Sequence, residues 1–181
     1  MRINGKGYIA SVIFLVVFAV VSLWKVKGNQ LLYQHNEGLI FGTVYHITYQ
    51  YSEDLQSEIN ALLKRFDKSL SPFNEESIIA AINRNDTAVR VDEYFKTVFS
   101  RSKEIYVASE GAFDPTVSPL INVWGFGFSK ADDITPFKID SLLQMVGMDK
   151  ISLLNGKVIK KDRRMTLNFS AIAKGYSCDI V

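Results

Sequence analysis

The run NFSAIAKGYSCD near the end of the chain combines the small residues Ser170, Ala171, Ala173 and Gly175 with a cation, Lys174. Small side chains let a ligand approach the backbone, the N–H groups and dipole of a helix start favour an anion, and Lys174 adds charge, so the segment can hold a phosphate. The same pattern also describes a capped helix with a small-residue packing face. In Gly111-Ala112-Phe113-Asp114-Pro115-Thr116 the proline holds Asp114 out of the helical region, and its carboxylate either meets a ligand or accepts backbone hydrogen bonds in a turn. Phe73, at the end of Ser69-Leu70-Ser71-Pro72-Phe73, is an aromatic on a rigid turn that can stack on a flat ring or plug a core. Phe41-Gly42-Thr43 opens a strand and reads as a bulge, as close packing or as a fourth ligand contact. His35 and His46 lack a second ligand at metal spacing. Cys178 reads as a small buried hydrophobe, because no histidine lies near it in sequence.

These residues need elements to position them. After a polar connector from Gly28 to Gly38, Thr43, Tyr45, Ile47, Tyr49 and Tyr51 recur at a period of two and predict a strand. Ser52 is placed to cap a helix with Glu53 and Asp54 in its first turn and Leu55, Ile59, Leu62, Leu63 and Phe66 on one face. Ser77 starts a short helix ended by the polar run Asn83 to Asp86, and Asp92 caps a longer one that Gly111 closes. Phe113 to Phe128 follows neither period, yet its Trp124 and three phenylalanines predict packing. Thr135-Pro136 caps a further helix, Asn155-Gly156 turns a hairpin, and Met165 and Leu167 alternate along a strand that runs into a helix capped by Ser170.

Composition narrows the classes. Of 181 residues 48% are apolar and 22% charged, which suits a chain with a buried core, and a single cysteine excludes a disulfide framework. Residues 1–30 carry Arg2, Lys6, Lys25 and Lys27 with no acid, leaving 17 bases against 19 acids in the remaining 151 residues. That balance lacks the cationic face a nucleic-acid binder needs. Tyr8 to Trp24 is 17 residues without a charge, flanked by bases and by Trp24 at one edge. As a helix it would span roughly 25 Å of a hydrocarbon core about 30 Å thick. An uncleaved signal-anchor is the expectation, a cleaved signal peptide the alternative, and either places the rest outside the cytoplasm.

FGTVYHITY, LSPFNEES, GAFDPTVSPLINVWGFG and LNFSAIAKGYSCD, in this order, resemble the successive signatures of the ApbE family of flavin transferases. The resemblance covers about residue 38 to the last residue. It implies an α+β fold, a mixed sheet with packed helices, over residues 31–181, preceded by one transmembrane segment in 1–30. It implies a magnesium-dependent transfer of FMN from FAD to a threonine or serine of a membrane redox partner, such as subunits of the sodium-pumping quinone reductase or Rnf complexes, on the outer face of the cytoplasmic membrane. Some relatives instead hydrolyse FAD to FMN and AMP.

By position, the resemblance assigns Phe41 and Phe73 to the flavin, Ala112, Phe113 and Asp114 to a loop that holds FAD, and Ser170, Lys174 and Tyr176 to the cofactor near the last helix. The backbone carbonyl of Ala173 would face Mg²⁺. No catalytic residue is assigned. Phe41 stands where relatives often have methionine, Phe73 where they often have tyrosine or tryptophan, and Asn168 where many have aspartate. Family members run well beyond 181 residues and complete the metal site in their later half, so the chain is expected to match the first half of such an enzyme. An inactive flavin-binding fragment is therefore the remaining alternative.

Overall fold

The computed structural model describes residues 5–27, 32–126 and 133–181. Helix α1 (Gly5–Lys27) is followed by strands β1 (Tyr33–Ile40) and β2 (Thr43–Gln50), then helices α2 (Gln56–Leu70), α3 (Ile78–Asn83), α4 (Glu93–Ala108), α5 (Ser118–Val123) and α6 (Pro136–Leu143). A hairpin, β3 (Ile151–Leu154) and β4 (Lys157–Lys160), precedes the last helix, α7 (Ser170–Ile180). The α+β class holds, but the expected mixed sheet does not. The described strands form two separate two-stranded sheets, β1 with β2 and β3 with β4.

The chain divides into two compact units, residues 1–36 with 46–55, and residues 37–45 with 56–181. In the first, the large apolar side chains of α1 between Val12 and Val21 are exposed. Among the described residues no helix is long and apolar enough to cross a membrane, side-chain positions in α1 being described for 11–22 only. Of the polar connector expected from Gly28 to Gly38, residues 28–31 lie outside the described residues, and the part from Tyr33 on belongs to β1. Its polar residues find partners: His35 Nδ1 lies 3.0 Å from Thr48 Oγ1, and the buried Asn36 donates to Asp54 Oδ1 at 2.7 Å. Asp54 and Leu55, whose N–H donates to Tyr49 Oη at 2.6 Å, are thereby held in the chain before α2, which begins at Gln56 rather than after Ser52.

The second unit carries the core. Ile59, Leu63, Phe66 and Leu70 fall on the buried face of α2 at helical spacing. Phe66, 1% exposed, is the aromatic hub: Phe41 and Tyr94 meet its ring edge-on at 5.4 and 5.5 Å, and Tyr176 lies tilted at 5.6 Å. Phe95 of α4 joins Phe169 edge-on at 5.3 Å. The helices start where their caps stand: Ser77 Oγ accepts from Ala80 N, Asp92 from Phe95 N and Thr135 from Lys138 N. Asn155 and Gly156, with φ of +51° and +74°, make the primed turn between β3 and β4, with Ile151 opposite Lys160.

Residues 165–169 alternate as a strand should, with Met165, Leu167 and Phe169 fully buried, yet they form no strand. Their partner is a side chain. Asn83 Nδ2 donates to Leu167 O at 2.9 Å, and Leu167 N donates to Asn83 Oδ1 at 2.8 Å, so one amide does what a neighbouring strand would do. The packing expected from Phe113 to Phe128 is met in part: Pro115, Thr116 and Ser118 are buried and Phe113 half-buried, whereas Trp124 is 43% and Phe126 84% exposed. Phe128 lies outside the described residues.

Candidate functional site

Five of the expected site residues meet in the second unit. Phe41, Phe73, Ser170, Ala173 and Lys174 line one cleft with about 20 Å³ of free space, whose walls are completed by Phe66, Leu70, Ser71 and Pro72. That space is about the room of one water molecule, so a ring system would enter only by displacing the walls of the cleft. The walls are mostly aromatic and aliphatic; the polar side chains are Ser71 and, from the start of α7, Ser170 and Lys174.

Two local conformations build this cleft. Phe41 and Gly42 connect β1 to β2 with φ of +54° and +69°, the pairing a two-residue hairpin turn demands. Asparagine and glycine adopt that conformation readily; a phenylalanine does so under strain, which persists where surrounding contacts hold it. Here the contacts are the edge-on approach to Phe66. Across the hairpin, a Cβ on Gly38 would stand 2.7 Å from the Tyr45 ring, which cannot swing away because its Oη donates to Asn60 Oδ1 and accepts from Gln56 Nε2.

The start of α7 is less open to an anion than its sequence suggests. Phe169, not Ser170, occupies the cap position, and Asn168 Oδ1 accepts from Ser170 N at 2.9 Å. The Phe169 carbonyl accepts from Ile172 and Ala173 N. Of the first turn, Ala171 N–H is left without an internal partner among the described residues. Lys174 is exposed, and its ammonium has no ion-pair partner among the described residues. An anion there would meet one N–H, the helix dipole and a mobile cation.

The remaining expected residues lie elsewhere. Ala112, Phe113 and Asp114 do not line the cleft. Asp114 Oδ1 accepts from Thr116 N at 2.8 Å and from Thr116 Oγ1 at 2.6 Å, and the buried Thr116 Oγ1 accepts from Gly147 N at 2.7 Å. The carboxylate is thus the pivot of a turn. The loop nevertheless reaches the site's edge, since Pro115 O accepts from Asn168 N at 2.8 Å, two residues before α7 begins. Tyr176 supports the cleft from behind through Phe66. Cys178 is exposed rather than buried, because it falls on the outward face of α7. Ser71 was not singled out in sequence: nothing local marks one serine of a turn as the one that faces a cavity.

The donor set does not by itself fit a metal. Magnesium takes about six oxygens in near-octahedral geometry. The carbonyl of Ala173 is one, in the first turns of a regular helix, and no group of three or more His, Cys, Asp or Glu side chains converges among the described residues.

Comparison with known proteins decides the family. The profile of the ApbE family matches residues 41–181. The chain belongs to the ApbE family. An ApbE relative from Haemophilus influenzae, named FAD:protein FMN transferase, is 31% identical over 160 residues, 80% of this chain and 46% of its own. The flavin transferase ApbE from Vibrio cholerae superposes with a TM-score of 0.76 at 27% identity, covering 83% of this chain and 52% of that one. The apo flavinyl transferase ApbE of Pseudomonas stutzeri gives 0.73 at 25% identity, over 83% and 54%. This ApbE chain spans about half the length of the curated relatives it matches.

Proposed function

We propose that the protein takes part in protein flavinylation: FAD binds, and FMN is transferred to a threonine or serine hydroxyl of a membrane redox partner, with AMP released. The observation that carries the reading is the aromatic cleft roofed by Phe41 and Phe73 and bordered by the start of α7 and Lys174, in a chain whose relatives bear the name FAD:protein FMN transferase. An isoalloxazine ring would lie between the two phenylalanines, its faces against theirs. Its phosphate would extend toward Ala171 N–H and Lys174, with the 112–114 loop at the edge that Pro115 and Asn168 define. The acceptor oxygen bonds to the FMN phosphorus, the bond from that phosphorus to the bridging oxygen breaks, and AMP carries that oxygen away while the hydroxyl proton passes to solvent. Work of this kind is positioning and charge neutralisation. Magnesium would supply neutralisation of the diphosphate; Ala173 O is the one oxygen the cleft would offer it, and the described residues do not supply the rest of its ligands.

The partner class proposed is the membrane redox subunits of quinone reductase and Rnf type. Tethering by α1 is part of the same proposal, supported by the uncharged run Tyr8–Trp24 within a 23-residue helix; it would set the domain on the outer face of the cytoplasmic membrane. The test incubates the detergent-solubilised protein with FAD, Mg²⁺ and a threonine-bearing target. A fluorescent target band that EDTA abolishes is expected. AMP release without a labelled target would move the reading to FAD hydrolysis, and neither product would sink both.

A further inference from the structure

The cleft contains one polar group that the transfer reading leaves unused. Ser71 lines it and is 4% exposed, and its hydroxyl oxygen is cut off from solvent with no hydrogen-bond partner. The serines around it are satisfied: Ser69 Oγ donates to Asp92 Oδ1 at 2.7 Å, and Ser77 Oγ donates to Ser71 O at 2.7 Å. Nor is the Ser71 backbone loose. Its N–H donates to Asp67 O at 3.0 Å, and its carbonyl also accepts from Asn74 N at 3.3 Å. The hydroxyl is therefore held in place against apolar walls, Phe41, Phe66 and Leu70, without the hydrogen bond that buried hydroxyls normally make. Phe73, 58% exposed, forms the outer wall of the cleft.

We propose that Ser71 is the polar anchor of the cleft, its Oγ hydrogen-bonding the carbonyl and imide edge of the flavin ring whose faces Phe41 and Phe73 hold. The inference rests on the flavin reading of the cleft given above. It separates two kinds of recognition, ring shape by the phenylalanines and ring identity by the serine. An anchor of this kind selects flavins over flat rings that lack a polar edge.

The experiment titrates the full 181-residue chain in detergent with FMN, following flavin fluorescence, and with phenazine, which has the three-ring shape without carbonyl or imide groups. Ser71→Ala is expected to raise the FMN Kd by roughly five- to tenfold, the size of one lost neutral hydrogen bond. It should leave phenazine binding unchanged and the ligand-free melting temperature equal or higher, because an unpaired buried hydroxyl has gone. An unchanged FMN Kd in Ser71→Ala, with Phe73→Ala weakened, overturns the anchor and leaves the flavin site standing. A variant that loses stability and phenazine binding together shows a packing role and overturns it as well. A wild-type chain that binds no FMN overturns the anchor along with the site.

Discussion

Phe41 has a backbone that most residues with its bulk avoid. An aromatic at φ of +54° costs on the order of 1–2 kcal/mol relative to a residue that tolerates the left-handed region. Two substitutions separate the backbone from the ring. Phe41→Ala and Phe41→Asn both remove the wall of the cleft and the contact with Phe66, and both should abolish most flavin quenching. Asparagine accepts a positive φ more readily than alanine, so Phe41→Asn should be about 0.5–1 kcal/mol more stable in urea unfolding. Equal stabilities would place the cost in the ring's packing instead. Asp114 illustrates the converse at the same scale: its proline neighbour signalled a fixed carboxylate, and the structure spends that carboxylate on Thr116. Sequence held both outcomes open because a turn and a ligand contact ask the same of an Asp-Pro pair.

Among the elements, those fixed by short-range chemistry were legible. Caps at Ser77, Asp92 and Thr135 and the Asn155-Gly156 hairpin follow from side chains one to three residues away. Strand β1 was not legible, since YQHNEGLI alternates little apolar character and is a strand because β2 pairs with it. The stretch 165–169 misled in the other direction, for its alternation is real but its partner is Asn83 rather than a strand. Asn83→Ala leaves the N–H and carbonyl of buried Leu167 unpaired. It should cost roughly 2–3 kcal/mol in urea unfolding with an unchanged slope. A loss within a few tenths of a kcal/mol would mean that water replaces the amide.

For the molecule as a whole, the residues that gather at the cleft all belong to 37–45 and 56–181. On the tethering proposed above, removing residues 1–27 should shift the chain from the detergent phase to the aqueous phase of a Triton X-114 partition, and FMN quenching should persist. Lost quenching would show that the first unit contributes to binding. The motifs that pointed to this site were legible as types and order; what they could not convey was distance, because Phe41, Phe73 and Lys174 become neighbours only through the packing of α2 and α7 on the core. That assembly has a cost in time. Phe73 and Ser170 stand 97 positions apart in the chain, and at typical synthesis rates roughly 5–20 s separate their emergence. Throughout that interval the two phenylalanines lack the helix that closes the cleft, so the nascent chain is both blind to flavin and adhesive, and a chaperone has more reason to hold it than its ligand does.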